Sequence, residues 1–403
     1  MLDRGVLRAP REVLFGEGVA DACGELAHRL AKRVLLVTDP TLSASGAARG
    51  VLGSLRSQGL ETQMFDGAIP ELPMDTVLEA IRQARQSPPD CVIGLGGGSS
   101  IDLAKLVALG VAHGEDLRSF YGEEQVPGPI APVIAIPTTA GTGSEVTPVA
   151  VLTDPEAVLK VGISSRHLIP TYALVDPALT HGCPPTVSAH AGIDALAHAV
   201  ESFTAARREL PAGSNAVFIG KNVLSDPLAL TAAHHIAPNL PAATRDEPDA
   251  RAAVAYGSLC AGLAFGVAGT AVAHALQYPI GARTHTPHGL GTGLLLPYAM
   301  RFNLRERVDE LAEVARTMGV SDSSDDERAA EAAIAGVAEL AVEIGIPTSL
   351  AELGVAEDEL PELARQALGV TRLLVNNPRQ PDEGDLLGIL GEAWRGELAR
   401  VTS

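Results

Sequence analysis

Through its first half the chain alternates short β-branched runs with helical patterns, and this alternation stops near residue 180. The runs 34 to 38 (VLLVT), 91 to 95 (CVIGL) and 131 to 136 (APVIAI) are each followed by Asp, Gly or Pro and then by a loop or helical pattern. That order of elements builds a parallel sheet from βαβ units. Beyond residue 180 strands become hard to find, and Ala/Leu-rich helical periodicity takes over at 188–206, 249–281, 305–318 and 327–344. The expected fold is therefore an α/β N-terminal domain with a parallel sheet over residues 1–180, joined to an all-α C-terminal domain over 181–403. The boundary falls around HGCPP, and segment 205–227, rich in Pro, Gly, Ser and Asn, reads as a loop between helices. Two domains also suit the length, since 403 residues exceed the size at which one core stops growing.

Composition narrows the partners. A formal net charge of −19 disfavours nucleic acid and an anionic membrane surface, both of which call for a basic face. Cys23, Cys91, Cys183 and Cys260 are scattered and form no C-x-x-C pair, which argues against a zinc ribbon or a disulfide framework and points to a reducing cytoplasm. No run approaches the roughly 18 uninterrupted apolar residues of a membrane span. The first residues lack the apolar segment of a signal peptide.

Three features of the first half point to a dinucleotide. Residues 94–105 (GLGGGSSIDLAK) follow a buried run and open a helix. Glycines there let the backbone approach a pyrophosphate, and the N–H groups and dipole of the helix N-terminus hold its charge. Taken as a bare pattern, Gly94-x-Gly96-x-x-Ser99 also describes an ordinary tight turn. A second loop, 137–147 (PTTAGTGSEVT), follows another strand and is dense in hydroxyls and glycines. Asp39 closes the strand VLLVT, where a carboxylate accepts from a ribose 2′-hydroxyl and repels a 2′-phosphate, favouring NAD over NADP. Its position ahead of the glycine loop reverses the common order, and a helix cap in DPTLS is the other reading of the same residue.

In the second half, AGIDALAHAVE (191–201) sets Asp194 and His198 four apart on one helix face, a spacing that suits two ligands of one divalent ion. HALQYPIGARTHTPHG (274–289) adds His274, His285 and His288. One carboxylate with several imidazoles and no thiolate suits Fe²⁺ or Zn²⁺ rather than Ca²⁺ or Mg²⁺, and four ligands leave a position open for a substrate oxygen.

The blocks GGGSSIDLAK, IPTTAGTGSEVTP, GIDALAHAVES and AHALQYPIGARTHTPHG stand in the order and at the approximate spacing of the iron-containing (group III) alcohol dehydrogenases. The chain resembles that family over essentially its whole length. The resemblance implies a dehydroquinate-synthase-like fold and a metal held by Asp194, His198, His274 and His288, the last in a Pro-His-Gly turn, with His285 a bystander. It implies a pyrophosphate loop of Gly96, Gly97, Gly98 and Ser99 with Asp102, a second loop through Thr138, Thr139, Thr142 and Ser144, and ribose-side contacts from Asp39 and Lys160. It further implies NAD and Fe²⁺ (or Zn²⁺) as cofactors, a homodimer, and reversible hydride transfer between nicotinamide and a small alcohol or aldehyde.

Two positions depart from the family pattern. Many members carry a histidine one turn after the third ligand to relay a proton, and this chain has Tyr278 there, whose phenol is the candidate for that role. His190 and Ala191 precede the ligand helix where a small residue and a hydroxyl are more usual. Among rivals of the same fold, a maleylacetate reductase acts without the metal, whereas all four ligand positions are filled here; a hydroxyacid dehydrogenase remains close. A synthase-like lyase calls for many basic residues, and a non-catalytic nucleotide-binding protein fits poorly with intact ligands. Arg283, Lys221, Arg207 and Arg208 are candidates for binding an acidic substrate group, with solvated surface charge as the alternative reading.

Overall fold

The computed structural model describes residues 5–157, 159–208 and 214–398. Residues 209–213, part of the expected 205–227 loop, lie outside them. The chain separates into two compact units. One comprises 8–181 with 215–217, and the other 1–7, 182–214 and 218–403.

The first unit is built on nine short strands among the described residues: β1 (Glu12–Phe15), β2 (Arg33–Val37), β3 (Glu61–Phe65), β4 (Cys91–Gly96), β5 (Gly122–Glu123), β6 (Val133–Pro137), β7 (Val149–Leu152), β8 (Val161–Ser164) and β9 (Tyr172–Val175). Six form an all-parallel sheet in the order β1-β9-β6-β4-β2-β3, and β5, β8 and β7 form a small second sheet. The central strands β4 and β6 are buried along their whole length, so they read as continuous apolar runs, whereas the edge strands β1 (EVLF) and β3 (ETQMF) are half exposed and mixed in character.

The period of two along a strand divides the core into layers. Val34 and Leu36 of β2 pack with Ile93, Leu95, Ile134 and Ile136 on one face, beneath Val51 and Leu55 of the helix Gly46–Ser57. Leu35, Val37 and Val92 face the other way, against Val77 and Ile81 of Met74–Gln86 and the helix Gly98–His113. The helix that follows β2 and the helix that follows β4 thus cover opposite faces. Between those two strands lies the topological switch point where open α/β sheets bind ligands at the strand ends.

One charge lies inside the second layer. Lys105 is fully buried and donates to the carbonyls of Thr147 (3.0 Å) and Val149 (2.8 Å), with Asp102 Oδ1 at 3.9 Å. Burial pulls its ammonium down to about 8 and pushes the neighbouring buried Glu145 carboxyl up to about 7, while burial also raises Asp102 against the opposing pull of Lys105.

The second unit is helical. Pro185–Thr204 packs against Pro248–Ala268, Asp226–Ile236 and His288–Asn303, and further helices run at Val308–Met318, Asp326–Glu343, Leu360–Leu368 and Glu383–Arg395. Pro248–Ala268 is long and apolar enough to cross a membrane, and here 78% of that stretch is buried within the unit. The expected single helix over 249–281 is two: the first ends at Gly269 and the second, Val272–Thr284, begins after Ala271. Small apolar residues on both sides of the break keep the helical pattern running, which hides it in the sequence.

Lys105→Met should cost about 3–5 kcal/mol of stability, because it strands buried carboxylates and carbonyls without their cation. Thermal and urea unfolding measure this; a melting temperature within a degree of the parent would contradict the role given to Lys105.

Candidate metal centre and nucleotide loops

Asp39, Gly96–Gly98 and Thr138–Ser144 stand at the carboxyl ends of the adjacent strands β2, β4 and β6. The helix Gly98–His113 starts with Gly97 at its N-cap and no side-chain cap, so its first N–H groups face outward for an anion. Gly98 is required by close approach: a Cβ there would come within 2.7 Å of Thr142 Cγ2 in the second loop. The loops are tied together by Thr138 N–H donating to the Gly96 carbonyl at 3.0 Å.

Asp102 is placed differently from the expectation of a cofactor contact. Its Oδ1 accepts from the Ser144 hydroxyl and its Oδ2 from Val151 N–H at 2.9 Å, so both oxygens are spent fastening the second loop and the small sheet to the helix. Asp102 and Ser144 thereby hold the loop that carries Thr138, Thr139 and Thr142 against the helix. Lys160, just ahead of β8, pairs with Glu71 at 3.3 Å. Asp39 is an N-cap after all: Oδ1 accepts from Thr41 N–H (2.9 Å) and Leu42 N–H (3.0 Å). Both bonds fall on one oxygen, which leaves Oδ2 for a second acceptor role.

The helical unit gathers the ligand candidates. Asp194 and His198 share a face of Pro185–Thr204, His274 lies in the first turn of Val272–Thr284, and His288 opens His288–Asn303. Asp194 Oδ1 is 3.6 Å from His274 Nε2 and 3.8 Å from His288 Nε2, and His198 Nε2 is 3.9 Å from Asp194 Oδ2. Asp194, His274 and His288 offer donor atoms all within 4.8 Å of one another. His198 stacks on Phe265 (4.1 Å between ring centroids) and on His274 (4.8 Å).

Two residues that sequence reading missed decide which way these rings present their lone pairs. Glu201, one turn after His198's neighbour and seven residues after Asp194, is buried. Its carboxylate accepts from His274 Nδ1 at 2.5 Å and from Ala271 N–H (2.9 Å) and Ala273 N–H (2.7 Å). Gln277 Oε1 accepts from His288 Nδ1 at 2.6 Å. With both Nδ1 atoms carrying the proton, both Nε2 atoms hold a lone pair toward Asp194, and lone pairs converging on a carboxylate need a cation between them. Asp194 Oδ1 and His274 Nε2 are buried with no hydrogen-bond partner, as expected of atoms reserved for a metal.

Burial pushes the Asp194 carboxyl up to about 6, and although burial opposes the charged form of His274, the nearby Glu201 and Asp194 outweigh it and raise that imidazole. Gly289 lets the ligand turn close. A Cβ there would fall 2.1 Å from the His190 carbonyl oxygen and 2.9 Å from Asp194 Cβ, so the Pro-His-Gly turn lies directly on the ligand helix. His285 is exposed, ends the preceding helix in the left-handed region (φ 56°), and is not a member of the Asp194, His274 and His288 group.

Family models match both halves: iron-containing alcohol dehydrogenase over residues 10–177, and the C-terminal domain of the Fe-containing alcohol dehydrogenase family over 188–394. The chain belongs to the iron-containing alcohol dehydrogenase family. This alcohol dehydrogenase is 35% identical to the 1,3-propanediol dehydrogenase of Klebsiella pneumoniae, over 96% of this chain and 97% of that one. It is 33% identical to the NAD-dependent methanol dehydrogenase of Bacillus methanolicus, over 95% of this chain and 98% of that one. A crystal structure of a 1,3-propanediol oxidoreductase superposes with a TM-score of 0.90 at 34% identity, covering 98% of this chain and 100% of that one.

The arrangement separates ligands from bystanders. His274→Ala and His288→Ala should each lower bound metal to below a tenth of the parent, and His285→Ala should leave it unchanged. Glu201→Gln should weaken metal affinity by about 10–100-fold, since it removes the charge that orients His274. Metal analysis after gel filtration decides; metal lost from the His285 variant and kept by the His288 variant would reverse the assignment.

Proposed function

We propose that this alcohol dehydrogenase transfers hydride reversibly between NAD(H) and a small alcohol or aldehyde, using a divalent metal, Fe²⁺ before Zn²⁺, held by Asp194, His198, His274 and His288. The observation that carries the reading is the convergence of the Asp194, His274 and His288 donor atoms, with the proton-bearing nitrogens turned outward to Glu201 and Gln277. Bound there, the cation supplies Lewis acidity toward a substrate oxygen.

The chain's own residues do the rest. Glu201 and Gln277 hold the imidazoles in one tautomer and orientation. Tyr278 packs its ring edge against His288 at 6.1 Å and is nearly buried, so its phenol can hold or pass a proton beside the ligand set where other members place histidine. The uncapped N-terminus of Gly98–His113, with Ser99 in its first turn, receives the pyrophosphate, and Thr138, Thr139 and Thr142 line the second loop. Asp39 Oδ2 accepts from the adenosine ribose, with Lys160 on the same side of the nucleotide. With all four ligand positions filled, a metal-free maleylacetate reductase chemistry is disfavoured.

We further propose a cytoplasmic homodimer. All four cysteines are free, in keeping with a reducing compartment, and β1 is an edge strand of the large sheet, the kind of element through which sheets extend across a two-fold axis. Net charge of −19 supports the absence of nucleic-acid and membrane partners.

The test is NADH consumption by anaerobically purified, iron-loaded protein with a panel of short aldehydes. NADH should outperform NADPH by at least tenfold in kcat/KM, and Asp39→Gly should narrow that ratio by removing the repulsion of a 2′-phosphate. Equal use of NADPH by the parent would overturn the role of Asp39, and no oxidation with any aldehyde would overturn the reading itself. Light scattering should give a dimer; a monomer at micromolar concentration contradicts the proposed assembly.

A further inference from the structure

The basic residues that the sequence offered for an acidic substrate are occupied. Arg283 is exposed and paired with Glu359. Lys221 pairs with Asp226 at 2.8 Å and lies over the Phe203 ring, and Arg208 donates to the Phe218 carbonyl at 2.8 Å. The guanidinium that stands beside the metal centre comes from elsewhere in the chain. Arg372, on the short helix Thr371–Leu374, donates to Tyr278 Oη at 3.3 Å and lies 5.8 Å from the centre of the buried Phe218 ring. Tyr278 in turn meets His288, with 6.1 Å between ring centroids.

Arg372 is half-buried, and among the described residues no carboxylate pairs with it. Almost every other arginine of comparable burial in this acidic protein has an anionic partner or several carbonyl acceptors, as Arg251, Arg301 and Arg307 do. A partly desolvated guanidinium held by one phenol oxygen and an aromatic face keeps most of its five donors available. Its planar fork matches a carboxylate or sulfonate, and the surrounding aromatic rings lower the local polarity that would otherwise screen the pair.

We propose that Arg372 is a specificity-determining residue that binds an anionic group at the far end of the substrate, so that the preferred substrates are ω-carboxylated or ω-sulfonated short aldehydes and their alcohols. The inference rests on the metal-site reading of the preceding subsection. Arg372 contributes to recognition and not to hydride transfer, so its loss acts on substrate affinity. Tyr278 fixes the guanidinium from one side, which makes the phenol a positioning contact for Arg372 as well as a neighbour of the ligand set.

The experiment compares two matched pairs on the metal-loaded protein: butanal with 4-oxobutanoate in NADH-consumption kinetics, and 1-butanol with 4-hydroxybutanoate in calorimetric binding. The parent should favour 4-oxobutanoate by at least tenfold in kcat/KM, and 4-hydroxybutanoate should bind at least tenfold tighter than 1-butanol. Arg372→Met should erase both preferences through KM and Kd, leaving metal content and the KM for NADH within twofold of the parent. Arg372→Lys should recover part of the preference, since it restores charge without the fork. Parent protein that turns over and binds the neutral and anionic members equally would overturn the inference while leaving the dehydrogenase reading intact. A rise in the KM for NADH in Arg372→Met with unchanged aldehyde preference would also overturn it, by assigning the guanidinium to the cofactor. Selective 4-hydroxybutanoate binding that Arg372→Met abolishes supports the inference even if no aldehyde oxidises NADH, an outcome in which only the dehydrogenase reading fails.

Discussion

The Glu201 carboxylate is the interaction on which the candidate metal centre depends. It lies buried on the ligand helix and accepts from the backbone of Ala271 and Ala273 and from the His274 ring. The backbone bonds satisfy orphan donors at the start of Val272–Thr284, and its negative charge suits the positive end of that helix. The ring bond then turns His274 Nε2 toward Asp194. One side chain thereby joins two helices and sets the tautomer of a candidate ligand. A buried carboxylate is costly unless it is fully bonded, and here three donors meet it.

The nucleotide loops follow the same logic with backbone in place of metal. The helix Gly98–His113 is left uncapped, and the second loop is brought against it by the close packing of Gly98 on Thr142 and by the two bonds of Asp102. Beneath them Lys105 donates to the carbonyls of Thr147, at the end of the loop, and of Val149, and lies 3.9 Å from Asp102 Oδ1. The polar atoms that reach outward are consequently backbone N–H groups and threonine hydroxyls, which suit a diphosphate and ask for no charged side chain. Such a surface suits an anionic dinucleotide even on a chain of net charge −19.

The sequence made the parallel sheet and the helical second half legible because central strands are continuously apolar and buried helices keep their period, as in CVIGL and AGIDALAHAVE. Edge strands such as ETQMF were not, since half-exposed residues carry no clear alternation. Asp194 and His198 were visible as an i, i+4 pair. Glu201 continues that face, yet a glutamate on a helix is ordinarily solvated, and only the packing of the 271–273 backbone against it reveals its burial. The break at Gly269 was hidden by the apolar run GVAGTAVAHAL. Asp39 takes its helix-cap reading in the structure, and the cap uses only one of the two carboxylate oxygens. Arg372 had no local signal at all: it lies 94 positions from Tyr278 in a helix of four residues, and its significance is entirely tertiary.

The central claim is that one divalent cation is held by three imidazoles and one carboxylate. X-ray absorption on the zinc-loaded protein tests it most directly. The account predicts a first shell of nitrogen and oxygen at about 2.0–2.2 Å, with outer-shell scattering from three imidazole rings, and no sulfur. A sulfur ligand at about 2.3 Å, or a shell with fewer than two imidazoles, would contradict it.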